Sequence, residues 1–177
     1  MPPVILVVGP SGVGKSYVSG LLERAWTFLY WRIYSFEENG LPSAWGGHGE
    51  LVDMSMLIAA AHTRRAEAAA AGIVVSIAPE DVLEWRQLFE ARTLGATPVV
   101  LWGTPDQCVQ ARTERSRIHR KRFNEKDMPR YWRKNTAAFE AYGSAQYSDF
   151  REEAFRPDGS RWPDEHWLGR ISARLAG

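Results

Sequence analysis

Short apolar runs alternate along the chain with longer stretches rich in helix-forming residues, and glycine and proline mark most boundaries. Such runs are typical of buried strands, and the intervening stretches of helices. The pattern predicts strands at 4–8, 27–36, 73–78 and 97–102, and helices at 15–26, 51–71, 79–92, 105–117, 129–142 and 163–175. This alternation indicates an α/β fold with a parallel sheet.

The composition is that of one globular domain, expected to span 1–177. The 177 residues are 45% hydrophobic and 24% charged, close to globular averages and enough to bury a sizeable core. No apolar run approaches the roughly 20 residues of a membrane-spanning helix, so no membrane partner is expected. A single cysteine, Cys108, cannot form an internal disulfide, and no leader pattern is apparent. We therefore expect a cytoplasmic protein.

Positive charge is concentrated in one segment. The net charge of the chain is +1, yet residues 112–134 hold ten of its 22 Lys and Arg and three of its 21 Asp and Glu. This asymmetry favours an anionic ligand near that segment over a protein that coats nucleic acid through its overall charge. A solvated helix face is the alternative interpretation.

Residues 9–16, Gly-Pro-Ser-Gly-Val-Gly-Lys-Ser, match the pattern G-x-x-x-x-G-K-[ST] between a predicted strand and a predicted helix. In this pattern backbone N–H groups cradle phosphates, Lys15 reaches the β- and γ-phosphates, and Ser16 offers a hydroxyl to Mg²⁺. The motif predicts ATP and Mg²⁺ as cofactors; a glycine-rich turn without a ligand is the alternative. The predicted nucleotide-binding residues here are Gly9, Ser11, Gly12, Val13, Gly14, Lys15, Ser16 and Tyr17, with Ser16 also the metal ligand.

Other features narrow the class of nucleotide-binding protein. A guanine-specific switch protein would carry Asn-Lys-x-Asp, which the sequence lacks. Motor ATPases usually need a larger chain and a strand that ends in acidic residues, whereas the strand at 73–78 ends in Ser-Ile-Ala before Pro79. A small phosphotransferase is therefore favoured. The same missing acidic residue leaves open a regulatory module that holds nucleotide without transferring phosphate.

Several local motifs resemble adenylyl-sulfate kinases, within the P-loop kinases of nucleotides and small metabolites. These motifs are Arg-Arg-Ala-Glu at 64–67, Ala-Gly-Ile-Val-Val-Ser-Ile-Ala-Pro at 71–79, Phe-Glu-Glu-Asn at 36–39 and Thr-Pro-Asp-Gln-Cys at 104–108. The resemblance implies a three-layer fold with a five-stranded parallel sheet and transfer of the γ-phosphoryl group of ATP to a hydroxyl of a small nucleotide-like or metabolite acceptor.

The resemblance also implies a lid at about 117–128 and an acceptor region at about 37–71. Residues 78–143 are similar to polynucleotide 5′-hydroxyl kinases as well. A polynucleotide or nucleoside monophosphate kinase is therefore an alternative, and nucleic acid is the less favoured partner.

Arginine roles follow from the same resemblance. In this kinase branch an arginine on the helix before the lid packs on adenine, which matches Arg112 or Arg115. Lid arginines that close over the phosphates match Arg120 and Arg122. Guanidinium groups suit both tasks, because they stack on planar rings and fork onto phosphate oxygens. Arg120 and Arg122 are therefore predicted, with Lys15, as catalytic residues.

A hydroxyl acceptor benefits from a carboxylate that orients it and takes its proton. Glu38 is the predicted group, because it aligns with the second acidic position of the resembled motif. Adjacent residues at a strand end point to opposite sides, so only one of Glu37 and Glu38 can face the acceptor; two solvated carboxylates are the alternative. The other predicted acceptor-binding residues are Glu37, Asn39, Arg64, Arg65 and Ser76, with one of the two adjacent arginines expected to face inward.

Overall fold

Strands and helices alternate along most of the chain in the computed structural model, which describes residues 1–34, 36, 39–41, 52–79, 82–119, 123 and 125–177. The strands are β1 (Val4–Val8), β2 (Phe28–Ile33), β3 (Gly72–Ile77), β4 (Ala96–Trp102) and β5 (Arg151–Glu153). The helices are α1 (Lys15–Trp26), α2 (Met54–Glu67), α3 (Trp85–Thr93), α4 (Pro105–Ile118), α5 (Met128–Gly143) and α6 (Asp164–Ala176). Within these ranges no helix is both long enough and apolar enough to cross a membrane.

All five strands form one parallel sheet in the order β2-β3-β1-β4-β5. β1 lies at its centre, with Val4 opposite Ile73 on one side and Ala96 on the other. The α/β class and the five-stranded parallel sheet are therefore confirmed. Because the strands are parallel, their carboxyl ends meet at one edge of the sheet, and residues 9–16 lie at the middle of that edge.

The sheet separates two hydrophobic cores. On one face, Leu6 and Val75 pack in a core with apolar side chains of α2, α3 and α5. On the other face, Ile5 and Val74 pack with side chains of α1 and α6. Burial on both faces explains the unbroken apolar run of β1, as is typical of parallel strands covered by helices on both sides. The result is the expected arrangement of three layers.

The fifth strand has no apolar pattern, which is why the sequence did not locate it. β5 consists of Arg-Glu-Glu and pairs with β4 at the edge of the sheet, with Leu101 opposite Glu152. The buried Glu152 carboxylate accepts hydrogen bonds from Arg170 at 2.8 and 3.1 Å and from Arg174 at 2.5 Å, both on α6. A buried carboxylate is tolerated when it is paired in this way. The ion pairs therefore fasten the edge strand to the last helix.

The helix predicted at 79–92 begins at Trp85 instead. The Gln87 side chain accepts a hydrogen bond from the backbone N–H of Glu84 at 2.9 Å, which caps the first turn. Val82 and Leu83, which would have formed an earlier turn, are buried in the core. Their burial outweighs the helix-start signal of the preceding proline.

The strand predicted at 27–36 and the helix predicted at 51–71 also have different boundaries in the structure. The strand predicted at 27–36 is shorter, because Thr27 ends α1 with a φ of 57° and β2 ends at Ile33. The helix predicted at 51–71 ends at Glu67, and Ala69 has a φ of 51°, which a right-handed helix does not contain. β3, predicted from residue 73, begins at Gly72.

Candidate nucleotide-binding site

The loop between β1 and α1 depends on glycine for its conformation. Gly9, Gly12 and Gly14 have φ angles of 146°, 92° and 114°, which residues with a side chain rarely adopt. At Gly12 a Cβ atom would also lie 2.4 Å from the carbonyl oxygen of Cys108 on α4. The loop backbone is therefore packed directly against α4.

The N-terminus of α1 follows this loop. Gly14 is its N-cap and supplies no side chain to the first N–H groups, and the first turn of α1 contains no acidic residue. These N–H groups and the positive end of the helix dipole favour an anion. The Lys15 Nζ donates to the carbonyl oxygens of Gly9 at 2.5 Å and Pro10 at 3.0 Å, which keeps its charge at the loop.

A second cation, Arg161, reaches the loop from the segment between β5 and α6. Its guanidinium donates to the carbonyl oxygens of Gly12 at 3.1 Å and Val13 at 3.3 Å, and lies 5.9 Å from the centre of the Tyr17 ring. Burial lowers the pKa of Arg161, but an arginine side chain remains charged at neutral pH. No local pattern marks Arg161, because its contacts span 148 and 149 positions.

Ser11 is the point at which α4 and α5 contact the loop. Its backbone N–H donates to Asn135 Oδ1 at 2.5 Å, and its carbonyl oxygen accepts from the Tyr131 hydroxyl at 3.0 Å. Its Oγ accepts from Arg112 Nη1 at 2.6 Å. Of the two arginines predicted to pack on adenine, Arg112 thus contacts the loop, whereas Arg115 is exposed on α4.

Two predicted acceptor residues, Asn39 and Arg64, meet at Trp31, and these three residues form the Trp31 cluster. Trp31 Nε1 donates to Asn39 Oδ1 at 3.3 Å. The guanidinium carbon of Arg64 lies 4.4 Å from the centre of the indole ring. This cation–π contact orients the guanidinium while the side chain stays exposed. The sequence did not assign Trp31, which was indistinguishable from a core aromatic residue.

Arg65 and Ser76 are placed elsewhere. Arg65 Nη1 donates to the carbonyl oxygen of Ala70 at 3.0 Å, in the turn after α2. Ser76 is buried, with its Oγ 3.2 Å from the Tyr30 hydroxyl. Tyr30 packs against the core on the α1 side of the sheet, whereas Trp31 belongs to the opposite core. The structure therefore brings one arginine of the adjacent pair, and not Ser76, to the Trp31 cluster.

Four predicted residues, Glu37, Glu38, Arg120 and Arg122, lie outside the described residues. Their roles stay predictions.

A pocket of about 290 Å³ lies between the end of β4 and the segment that joins β5 to α6. Trp102, Phe155 and Trp162 provide its aromatic walls, and Thr104 contributes a polar group. The Phe155 ring also lies 5.2 Å from the Arg161 guanidinium carbon, which links the pocket to the phosphate loop.

The described residues contain no cluster of protein ligands for Mg²⁺. Across the part of the chain that the structure describes, no group of three or more His, Cys, Asp or Glu side chains is placed to hold a metal ion. Mg²⁺ bound to a nucleotide takes most of its ligands from phosphate oxygens and waters and needs one or two oxygens from the protein. The hydroxyl of Ser16, in the first turn of α1, fits that requirement.

We expect Cys108 to be unreactive in the folded protein. Burial raises the pKa of Cys108 to about 12, so at pH 8 the thiolate fraction is on the order of 10⁻⁴. Labelling with a thiol reagent at pH 8 should be negligible in the native state and complete in urea. Because this is the single cysteine, the signal has one source. Stoichiometric labelling of the native protein within minutes would contradict the packing of α4 on Gly12.

The sequence matches no protein-family model and no curated protein. Among solved structures, a gluconokinase from Sinorhizobium meliloti 1021 is similar with a TM-score of 0.54 and 16% identity, over 99% of this chain and 92% of that chain. A sugar kinase from Janibacter sp. HTCC2649 has a TM-score of 0.49 and 18% identity, over 99% and 95% of the two chains. A shikimate kinase from Acinetobacter baumannii has a TM-score of 0.49 and 15% identity, over 98% and 92%.

At this level of identity the similarity to the gluconokinase concerns the fold. The chain has the three-layer P-loop kinase fold with a five-stranded parallel sheet. A particular similarity to adenylyl-sulfate kinases is not among these findings.

Proposed function

We propose that the protein is an ATP-dependent phosphotransferase that moves the γ-phosphoryl group to a hydroxyl of a small metabolite. One observation carries this proposal: the phosphate loop follows the central strand β1, between a pocket at the end of β4 and the Trp31 cluster on β2. The pocket lined by Trp102 and Trp162 lies towards β4 and β5, and the Trp31 cluster lies towards β2 and α2. A donor base on one side and an acceptor on the other would meet at the loop.

The chemistry of transfer agrees with the charges at the loop. Phosphoryl transfer spreads negative charge over the equatorial oxygens, and catalysis consists mostly of positioning and of electrostatic stabilisation. In our proposal Lys15 neutralises that charge, together with Arg120 and Arg122 of the predicted lid. Arg112, which the resemblance matched to an adenine-packing position, is reassigned to the phosphates because it contacts Ser11 of the loop. Ser16 would hold Mg²⁺, which supplies further positive charge when bound.

The acceptor is proposed to bind at the Trp31 cluster. Arg64 presents an exposed guanidinium held by a cation–π contact with the Trp31 indole, which suits an acceptor with an anionic group. Glu38 would orient the acceptor hydroxyl and take its proton. The similarity of fold to a gluconokinase supports a small acceptor. The motifs at 64–67 and 71–79 make adenylyl sulfate the first specific candidate.

A transfer assay with γ-labelled ATP and Mg²⁺ tests the proposal. The acceptor panel should contain adenylyl sulfate, sugar acids, nucleoside monophosphates and 5′-hydroxyl oligonucleotides. We expect label on a small hydroxyl acceptor. Label on the oligonucleotide or on a monophosphate would instead establish one of the two alternative kinases.

A regulatory module that binds nucleotide without transfer is the second candidate. It is favoured by the end of β3, where Ser76 and Ile77 stand in place of an acidic residue. ATP binding without transfer of label to any acceptor or to water would favour this module over the kinase.

A further inference from the structure

The hydrogen-bonding groups of Ser11 are directed to α4 and α5. Its N–H, carbonyl oxygen and Oγ contact Asn135, Tyr131 and Arg112 at 2.5, 3.0 and 2.6 Å. We propose that Ser11, Tyr131 and Asn135 form a positioning network that holds Arg112 against the phosphate loop, where Arg112 binds the triphosphate. The inference rests on the proposed function for its ligand, and adds Tyr131 and Asn135, which neither the motif nor the comparisons assign, to the site.

Asn135 has a fixed orientation in this network. It is 1% exposed, and its two polar ends have different partners. Oδ1 accepts from the Ser11 N–H, and Nδ2 donates to the carbonyl oxygen of Tyr131 at 2.8 Å. Rotation of the amide by 180° would place Nδ2 beside the Ser11 N–H and Oδ1 beside the Tyr131 carbonyl oxygen. Two buried pairs of groups would then be unable to form hydrogen bonds, which is strongly disfavoured. Asn135 therefore holds the loop in one position relative to α5.

Tyr131 supplies the second link between α5 and the loop. Its side chain is 3% exposed, and burial raises the pKa of its hydroxyl. The hydroxyl therefore stays protonated and donates to the Ser11 carbonyl oxygen over the physiological pH range. Its ring also lies 5.7 Å from the Arg112 guanidinium carbon, so the same residue contacts both the loop and the arginine.

Arg112 is held by groups that do not neutralise it. Phe123 and Tyr131 provide rings at 4.8 and 5.7 Å from its guanidinium carbon, and Ser11 Oγ accepts from Nη1. Its Nε is buried and has no hydrogen-bond partner among the described residues. An unsatisfied donor on a charged group is unfavourable in the protein interior. A phosphate oxygen at the loop could accept from this guanidinium, which supports phosphate as the partner.

The network is tested by a double-mutant cycle on the dissociation constant of Mg²⁺–ATP, measured by calorimetry without acceptor. We expect Arg112→Ala to weaken binding by about 10- to 100-fold, as for loss of a charged hydrogen bond. Tyr131→Phe and Ser11→Ala should each weaken it by about 3- to 10-fold. In the Arg112→Ala background neither variant should have a further effect on ATP affinity. In the network Ser11 Oγ holds the guanidinium, and the Tyr131 hydroxyl positions Ser11.

Tyr147→Phe is the matched control. Tyr147 is also buried and donates its hydroxyl to a backbone carbonyl, that of Leu83 at 2.9 Å. The Tyr147→Phe variant should lower thermal stability as much as Tyr131→Phe does, and its ATP affinity should stay within twofold of that of the original protein. Equal affinities for Tyr131→Phe and Tyr147→Phe, or additive effects with Arg112→Ala, would overturn the network.

Failure of the network and failure of the proposed function are separable in these data. ATP binding with the expected cycle but without phosphate transfer overturns the proposed function and supports the network. Transfer with an additive cycle does the reverse. Absence of ATP binding by the original protein would overturn both.

Discussion

Replacing Lys15 with alanine is expected to abolish phosphate transfer while leaving the fold intact. The ammonium lies at the mouth of the loop, within hydrogen-bonding distance of the Gly9 and Pro10 carbonyl oxygens. From there it can reach the β- and γ-phosphates, where charge develops during transfer. Loss of such a group from a preorganised site lowers the rate by at least about 10²- to 10³-fold. Transfer of label from γ-labelled ATP measures the effect.

The control for Lys15→Ala is Arg86→Ala. Arg86 is an exposed cation on α3, and its guanidinium lies 5.6 Å from the centre of the Trp85 ring. Arg86→Ala removes one positive charge, as Lys15→Ala does, without changing a residue of the phosphate loop. The circular dichroism spectrum and melting temperature of both variants should match those of the original protein. Unchanged transfer by Lys15→Ala would remove the phosphate loop from the mechanism.

The parts of the fold predicted correctly are those with a local apolar signal. β1 and α1 have the predicted bounds. The unbroken apolar run marks the buried strand, and the G-x-x-x-x-G-K-[ST] pattern marks the start of the helix. β5 and the start of α3 were not predicted. In both cases tertiary packing decides, through the ion pairs of Glu152 and the burial of Val82 and Leu83.

The residues of the site also fall into those that a local sequence pattern identifies and those that only the tertiary packing brings to the loop. The motif identifies the glycines, Lys15 and Ser16, since their roles depend on local spacing. Arg161 and Asn135 reach the loop from distant segments, with separations of 149 and 124 residues. Neither has a spacing or neighbour in the sequence that distinguishes it from other polar residues. Such contacts can be seen only when the packing of α4, α5 and the β5–α6 segment is known.

Glu38→Gln is expected to lower turnover by about 10²- to 10⁴-fold if the acceptor group is a hydroxyl, with little change in the affinity for ATP. The glutamine keeps the size and hydrogen-bonding reach of the side chain but cannot accept the acceptor's proton. A phosphate acceptor needs no such base. Single-turnover rates at saturating acceptor, with ATP affinity measured separately, distinguish the two kinds of acceptor.

Glu37→Gln is the matched control, and the structure makes the comparison more informative. The prediction that only one of the two glutamates faces the acceptor used strand alternation, but β2 ends at Ile33, and the carbonyl oxygen of Phe36 accepts from the N–H groups of Asn39 and Leu41 at 3.0 and 2.9 Å. β2 therefore does not supply the alternation on which that prediction relied. A rate loss confined to Glu38→Gln supports the assigned base, whereas a loss confined to Glu37→Gln transfers that role to its neighbour. Unchanged rates in both variants would exclude a carboxylate of this pair as the base and favour monophosphate kinase chemistry.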